Sequence, residues 1–337
     1  MRISSGRLAT IALGLALLFQ QLSSAEVTEI GVARQFGVAY LPLMVMEHEK
    51  LLDKHARAQG LSQPKVNWMN FSGGNMMNDA LLSGSLHFAA PGFPALVALW
   101  TKTAGTPGEV RAVSGISALP QYLITRNPAV KSVADFTEKD RIALPTVKVS
   151  GQAIMLQMAA EKAFGFKNYD RLDARTVAMA HPDATAQMLS NSGEITAHFT
   201  WAPFSAKELA RPGLRVVLSS NDIFGGPITA IAVTATKKFM TENPKTYAAF
   251  VAAQEEATAF INRNPRAAAE IYAKLAKDTT PVEELEKMIT DPLGRYTMTP
   301  INTMKLVDFM YRTGAIKVKP ASWKDLFFPN VHGLPGS

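Results

Sequence analysis

The sequence predicts an α/β protein of two similar lobes with a helical C-terminal part. Short apolar runs alternate with stretches of helical periodicity, which is typical of parallel α/β layers. The alternation starts again after residue 118, and after residue 236 only helical patterns follow. We therefore expect a chain that builds one lobe, crosses to a second lobe, and returns to the first.

The first 25 residues have the pattern of an export signal. Arg2 and Arg7 form a basic start, a mostly apolar run covers 8–22, and small residues stand at 23–25. The apolar run is shorter than the roughly 20 residues that a membrane-spanning helix needs. We expect cleavage after Ala25 and release into the periplasm, rather than a retained membrane anchor.

The composition argues against several classes of protein. The 337 residues include no cysteine, which removes disulfides, thiolate metal sites, cysteine nucleophiles and a lipidated cysteine tether. The net charge is +7, but the basic residues are scattered without a long run, so no nucleic-acid partner is expected. The net positive charge remains compatible with an anionic solute as ligand. We expect the protein to be a monomer.

Ten apolar runs are the predicted strands. They cover 28–33, 65–71, 86–90, 110–117, 121–126, 141–144, 175–180, 195–200, 214–219 and 228–236. Helices between the later strands are predicted at 152–164, 183–191 and 203–210. The expected organisation is a signal peptide, the first part of lobe I, lobe II, and a return to lobe I, with boundaries at 1–25, 26–118, 119–225 and 226–337.

The C-terminal helices are expected to pack on the first lobe, and proline marks their starts. Asn243, Asn264, Thr280 and Thr299 each precede a proline, which is typical of the first residues of a helix. Glu283 stands three residues after Thr280, which predicts a capping box.

Ligands of open α/β sheets bind beyond the carboxyl ends of the strands, so the loops there supply the candidate site. Glycine and serine at helix starts expose N–H groups that favour an anion, amides add hydrogen bonds, and aromatic rings form apolar walls. The candidate ligand-binding residues are Gln35, Phe36, Ser72, Gly73, Gly74, Asn75, Gly92, Phe93, Gln121, Lys148, Ser150, Gly151, Gln152, Trp201 and Phe204.

Each of these features also has a structural explanation. The run from Ser72 to Gly74 could be only a tight turn with a helix cap. Trp201 and Phe204 could belong to the core, and Lys148 could be a solvated loop charge. The functional interpretation gains weight because the glycines and aromatic residues fall at strand ends in both halves of the chain.

At these loops the sequence resembles the nitrate/sulfonate/taurine group of periplasmic binding proteins of ABC importers. The similarity lies in 30–52, 71–88, 132–136 and 193–204. The resemblance implies a type II periplasmic binding-protein fold, a ligand held between the lobes, and a permease partner in the inner membrane. It implies ligand contacts from residues 35–36, 72–75, 92–93, 150–152 and 201.

One departure bears on the ligand. Members of the group often carry an acidic residue between the tryptophan and proline of the last segment, where this chain has Ala202. The departure argues against an ammonium-bearing ligand such as taurine, and the aromatic residues argue for an organic body on the anion. The expected function is therefore capture of a small, sulfonate-like organic anion by closure of the two lobes.

An enzyme is the main alternative. The sequence contains no P-loop, nucleophile elbow, HExxH or dinucleotide fingerprint, and its six histidines have no metal-ligand spacing, so neither cofactor nor metal is expected. The same resemblance extends to a pyrimidine-forming enzyme of thiamine synthesis that depends on cysteines, which this chain lacks. A binding protein for a thiamine-pyrimidine or other heterocyclic precursor stays open. A sensor or interaction module with this fold is a further alternative, but a free domain that feeds a transporter fits better.

Overall fold

The computed structural model describes residues 25–190 and 193–337. Apart from Ala25, the predicted export signal lies outside the described residues, and so does the predicted helix end at Asn191. Within the described residues, no helix is both long enough and apolar enough to cross a membrane.

Eleven strands form two sheets in the described part of the chain. The first sheet has the order β11-β4-β10-β3-β1-β2, and the second has the order β7-β6-β8-β5-β9. The strands are β1 Glu29–Arg34, β2 Lys65–Asn70, β3 Phe88–Ala89, β4 Val110–Ala118, β5 Tyr122–Thr125, β6 Ile142–Leu144, β7 Thr176–Ala178, β8 Ala197–Thr200, β9 Arg215–Ser219, β10 Ile231–Thr236 and β11 Arg295–Tyr296.

Fourteen α-helices surround the sheets in the same described ranges. They are α1 Leu41–His48, α2 Leu51–Ala58, α3 Gly74–Leu82, α4 Phe93–Thr103, α5 Gly151–Phe164, α6 His181–Leu189, α7 Phe204–Leu209, α8 Ser220–Phe224, α9 Lys237–Glu242, α10 Pro244–Arg263, α11 Pro265–Ala276, α12 Val282–Ile289, α13 Thr303–Arg312 and α14 Trp323–Leu326. Short 3₁₀ turns occupy Val38–Tyr40, Val133–Asp135, Phe166–Asn168, Asp173–Arg175 and Pro329–Val331.

The strand pairing gives each sheet its own lobe. In the first sheet β1 pairs in parallel with β2 and β3, and β10 joins antiparallel between β3 and β4. All strands of the second sheet lie between β4 and β10 in sequence. The chain therefore crosses between the lobes twice, after β4 and before β10, and the predicted two-lobe α/β fold is confirmed.

The C-terminal helices pack on the first lobe, as predicted. The long helix α10 lies against α1 and α2, and the Phe250 ring stacks on Phe88 of β3 at a centroid distance of 3.7 Å. The buried Gln254 amide of α10 accepts a hydrogen bond from Ser114 and donates one to the Gly115 carbonyl of β4. Apolar packing and the two hydrogen bonds of Gln254 thus fix the helix on the sheet.

Two of the four proline-marked helix starts are confirmed. Asn243 and Asn264 are the N-cap residues of α10 and α11, each with proline at the first helical position. The capping box predicted at Thr280 is wrong, because Pro281 is the N-cap of α12 and has no side-chain cap bond. The start predicted at Thr299 is also wrong, because α13 begins after Asn302, which adopts a left-handed conformation.

Candidate functional site

Three helix N-termini from the two lobes meet at one place. Helix α3 starts at Gly74 and α4 follows its N-cap Gly92, both in the first lobe, whereas α5 of the second lobe starts at Gly151. A Cβ atom added to Gly92 would lie 3.6 Å from the Gly151 nitrogen, and one added to Gly74 would lie 3.7 Å from the Gly92 nitrogen. The backbones of the two lobes therefore lie close together at Gly92 and Gly151.

A narrow cavity of about 20 Å³ lies between these helix starts. This volume holds one or two water molecules. The residues that line the cavity are Gln35, Gly74, Asn75, Gly92, Ala95, Gln121, Pro145, Thr146, Val149, Ser150, Gly151, Gln152, Trp201 and Ala230. We refer to it as the inner cavity.

The backbone at the start of α5 offers donors to the inner cavity. The Ser150 hydroxyl accepts a hydrogen bond from the Ala153 N–H at 3.2 Å and so caps the helix. The N–H groups of Gly151 and Gln152 in the first turn have no intrahelical acceptor. The helix dipole adds a partial positive charge at the same point, which favours an anion.

Two buried amide side chains complete the polar lining. Gln121 and Gln152 are 1% and 3% exposed. The Oε1 atom of Gln121 and the Nε2 atom of Gln152 have no hydrogen-bond partner among the described residues. A buried polar atom without a partner costs about 1–3 kcal/mol, so these two amides are suited to a ligand that satisfies them. The lining listed above includes no Lys, Arg, His, Asp or Glu.

Trp201 closes one side of the inner cavity and also joins the lobes. Its Nε1–H donates a hydrogen bond to the Phe36 carbonyl at 3.1 Å, and its ring meets Tyr40 edge-on at 5.9 Å. The neighbouring Gly37 has φ = +108°, and a Cβ atom there would collide with the indole. The sequence left open whether Trp201 is core or cavity wall, and the structure shows that it is both.

The structure brings nine of the fifteen predicted residues into the inner cavity: Gln35, Gly74, Asn75, Gly92, Gln121, Ser150, Gly151, Gln152 and Trp201. The Phe93 ring does not line it, because the first residue of α4 points into the core and stacks on Phe327 at 6.0 Å. Gly73 packs against Thr146 instead.

The remaining predicted residues lie around this cavity. Ser72 is exposed, and so is Lys148, whose φ is +66°. Phe36 and Phe204 line a second and larger cavity of about 280 Å³ in the same interlobe crevice. We call this second space the outer cavity.

Five residues of the inner lining were not predicted from the sequence. Pro145, Thr146 and Val149 belong to the loop after β6, so the rule that ligands bind at strand ends could have found them. Ala95 and Ala230 line the cavity with small apolar side chains, for which the sequence offers no signal.

A buried polar chain supports the Trp201 wall from the second lobe. The His181 Nδ1 lies 2.9 Å from the His198 Nε2, and the His198 Nδ1 lies 2.6 Å from a Glu208 carboxyl oxygen. Burial raises the pKa of Glu208 to about 8 and lowers the pKa of His198 to about 3, so both groups are uncharged near neutral pH. The His181 ring in turn contacts Trp201 at a centroid distance of 4.9 Å.

Two α/β lobes joined by two crossings, with a polar cavity where their helix starts meet, define the periplasmic binding-protein fold. The chain belongs to the NMT1-like family, whose pattern matches residues 23–276. No curated protein sequence matches the chain.

Solved structures with this fold include sulfonate- and nitrate-binding proteins, as the resemblance in sequence predicted. The alkanesulfonate-binding protein SsuA from Xanthomonas axonopodis pv. citri, bound to MOPS, is 17% identical, with a TM-score of 0.67 over 90% of this chain and 97% of that one. The aliphatic sulphonate-binding protein SsuA from Escherichia coli is 19% identical, with a TM-score of 0.64 over 89% and 92%. The nitrate-binding protein NrtA from Synechocystis PCC 6803 is 16% identical, with a TM-score of 0.66 over 89% and 84%.

Proposed function

We propose that the protein captures a small organic anion, sulfonate-like in its charged group, and delivers it to an ABC permease in the inner membrane. The observation that carries the proposal is the meeting of three helix N-termini with two unpartnered buried amides at one cavity between the lobes. The N–H groups of the helix starts and the Gln152 amide nitrogen supply hydrogen-bond donors, and the helix dipoles add partial positive charge without a formal counter-charge. The proposal includes export to the periplasm, cleavage after Ala25, and a monomeric protein.

The proposed mechanism is closure of the lobes about the two crossings, with boundaries at 118 and 225. Gly225 and Gly226 at the second crossing have positive φ angles of +73° and +148°, which few other residues adopt. Contacts across the crevice hold the closed form, including the hydrogen bond from Val38 N–H to the Ala202 carbonyl at 3.1 Å. Ligand affinity depends on how much better the closed form binds the anion than the open form does.

We infer that the ligand is carried and not converted. The groups that line the inner cavity are amides, hydroxyls, backbone N–H groups, small apolar side chains and one indole ring. His181, His198 and Glu208 could exchange protons, but they are at most 2% exposed and are absent from the lining.

The first test is thermal unfolding of the purified protein with small anions. Methanesulfonate, hexanesulfonate and nitrate should be compared with sodium chloride at equal ionic strength. A ligand at 100 times its Kd stabilises the native state by about 2.7 kcal/mol, so a clear rise in Tm is expected with a sulfonate. Stabilisation by a different ligand class, with no response to any sulfonate, contradicts the proposed ligand.

A second candidate ligand is a heterocycle such as a thiamine-pyrimidine precursor. The Gln121 Oε1 is an acceptor and the Gln152 Nε2 is a donor, and together they match the edge of a ring that both donates and accepts. A ring exceeds the cavity of about 20 Å³, so it would bind with the lobes further apart. Trp201 provides an aromatic surface beside them.

Gln121→Glu separates the two candidates, since it places a carboxylate where the amide stood. Binding of an organic anion is expected to weaken by about 30-fold or more through like-charge repulsion in a closed cavity. A ring that donates N–H groups to this position should bind as well or better. Calorimetric titration measures both, and Gln59→Glu at an exposed position is the matched control.

A further inference from the structure

Two exposed aromatic side chains lie on the surface outside the crevice. Phe166 is 45% exposed and Tyr311 is 47% exposed, and among the described residues they are the only aromatic side chains with such high exposure. Val318, a few residues after Tyr311, is 53% exposed. Phe166 follows α5 in the second lobe, whereas Tyr311 belongs to α13 in the C-terminal part. Single exposed apolar residues are ordinary on a protein surface, so these are informative only if they form one patch.

Arg312 joins the two segments into one patch. Its guanidinium carbon lies 5.3 Å from the centroid of the Phe166 ring, and its two terminal nitrogens pair with the Glu161 carboxylate at 2.7 and 2.9 Å. The Tyr169 ring also contacts Phe309 of α13 edge-on at 6.0 Å. The exposed side of α13 therefore continues onto the end of α5 and the turn that follows it. We call this the aromatic-basic surface; it belongs to segments 161–171 and 308–319, and its exposed residues are Lys162, Phe166, Lys167, Arg171, Tyr311, Arg312, Lys317, Val318 and Lys319.

The charge of the aromatic-basic surface is positive. Its six basic residues outnumber the three acidic residues in the same two segments. Arg312 pairs with Glu161, and Lys319 pairs with Asp308 at 2.8 Å, which neutralises two of the acids. The third acid is the exposed Asp170, and the bases without a carboxylate partner among the described residues are Lys162, Lys167, Arg171 and Lys317. An excess of three positive charges therefore faces solvent beside the two rings.

Exposed rings among unpaired basic residues are typical of protein surfaces that lie on anionic bilayers. We propose that the aromatic-basic surface binds the face of a bilayer that contains anionic phospholipids. Charge complementarity favours this partner, because the lysines match lipid phosphates and the rings match the boundary between headgroups and acyl chains. The inference goes beyond the proposed capture of a solute and does not depend on which ligand is bound. Membrane contact keeps the protein close to the proposed permease.

The test is co-sedimentation of the purified protein with lipid vesicles. One set contains equal parts of phosphatidylglycerol and phosphatidylcholine, and the other contains phosphatidylcholine alone. One variant combines Lys162→Gln, Lys167→Gln and Lys317→Gln, which removes three unpaired charges. A second combines Phe166→Ser and Tyr311→Ser, which removes the rings. Both leave the pair of the Arg312 guanidinium with Glu161 in place, so the two segments stay joined.

Each variant has a matched control outside the aromatic-basic surface. The charge control combines Lys237→Gln, Lys238→Gln and Lys245→Gln, three exposed lysines of α9 and α10 that have no carboxylate partner among the described residues. The apolar control combines Leu82→Ser and Leu293→Ser, whose side chains are 51% and 53% exposed. Thermal unfolding of all four proteins should give the wild-type Tm, because every substituted side chain is exposed.

The wild type is expected to bind phosphatidylglycerol vesicles at least about 30-fold more strongly than neutral ones at low salt, and less strongly at about 0.15 M salt. The lysine variant should lose about 100-fold, since each basic residue near an anionic bilayer contributes about fivefold. The serine variant should lose about tenfold, because its rings no longer enter the bilayer boundary. Neither control should lose more than about twofold.

Three outcomes overturn the inference. The first is equal binding to the two sets of vesicles, or binding to neither. The second is wild-type binding to phosphatidylglycerol vesicles by the lysine and serine variants. The third is displacement of the vesicles by a single-stranded oligonucleotide at equal phosphate concentration, which indicates a nucleic-acid surface instead. Sulfonate titration of the same proteins tests the proposed function separately, because the aromatic-basic surface includes no residue of the inner cavity.

Discussion

Replacement of Gly92 by valine is expected to abolish ligand binding while both lobes stay folded. The φ angle of Gly92 is −59°, which any residue adopts, and a Cβ atom there would meet only the Gly151 nitrogen and the Ala230 carbonyl at ordinary contact distances. The two methyl groups of valine would then enter the inner cavity of about 20 Å³. Overpacking of this kind costs about 1–3 kcal/mol in the closed form, and the ligand loses its space as well.

The measurement is titration with a sulfonate that binds the wild type, beside thermal unfolding without ligand. A decrease in affinity of about 100-fold or more is expected, with Tm within a few degrees of the wild type. Gly108→Val is the matched control, because Gly108 is exposed and a Cβ there would meet only the Thr106 hydroxyl oxygen. Wild-type affinity in Gly92→Val would show that the ligand binds elsewhere and would remove the basis of the proposed site.

Ligands of open α/β sheets bind beyond the carboxyl ends of the strands, and this rule explains why much of the site could be predicted from the sequence. Gly74, Gly92 and Gly151 stand at helix starts after strands, and in a two-lobe α/β fold such starts face a common crevice. The rule uses only local patterns, so it survives errors of a few residues in element boundaries. The same locality made Asn243 and Asn264 reliable helix starts.

The errors arise where tertiary packing decides the direction of a side chain. Phe93 and Gly92 are neighbours, yet the ring of Phe93 is fully buried against Phe327, far away in sequence. Thr280 does not cap the helix as predicted, because its N–H donates to the Asp278 carboxylate. The same carboxylate accepts a hydrogen bond from Lys207 of the second lobe. Contacts between distant segments have no periodicity that a single sequence reveals.

The buried chain of His181, His198 and Glu208 is another feature that the sequence could not show. The two histidines were assigned no role, and Glu208 was predicted only as part of a helix over 203–210. The fold places the His198 and Glu208 side chains at 0% exposure, 2.6 Å apart. Their burial gives the protein a titratable acid in its interior, with a consequence for stability that can be measured.

Glu208→Gln is expected to remove a decrease in stability that the wild type shows as the pH rises. Burial raises the pKa of Glu208 to about 8, whereas the unfolded chain has the ordinary value of 4.5. Below pH 4.5 both states are protonated, so folding is unaffected by this group. Between pH 4.5 and 8 the unfolded state loses its proton and the folded state keeps it, so the free energy of unfolding falls by up to about 1.4 kcal/mol for each pH step.

The amide of glutamine mimics the protonated carboxyl, since its oxygen can still accept from the Thr185 hydroxyl and the His198 ring. Urea unfolding should therefore give similar stabilities for the two proteins at pH 4, and a variant about 3 kcal/mol more stable at pH 7. Glu255→Gln on the exposed face of α10 controls for the lost carboxylate. If the variant is instead less stable at pH 7, Glu208 is ionised in the fold and stabilises it through a protonated His198, because an ion pair formed on folding would reverse the sign of the pH dependence.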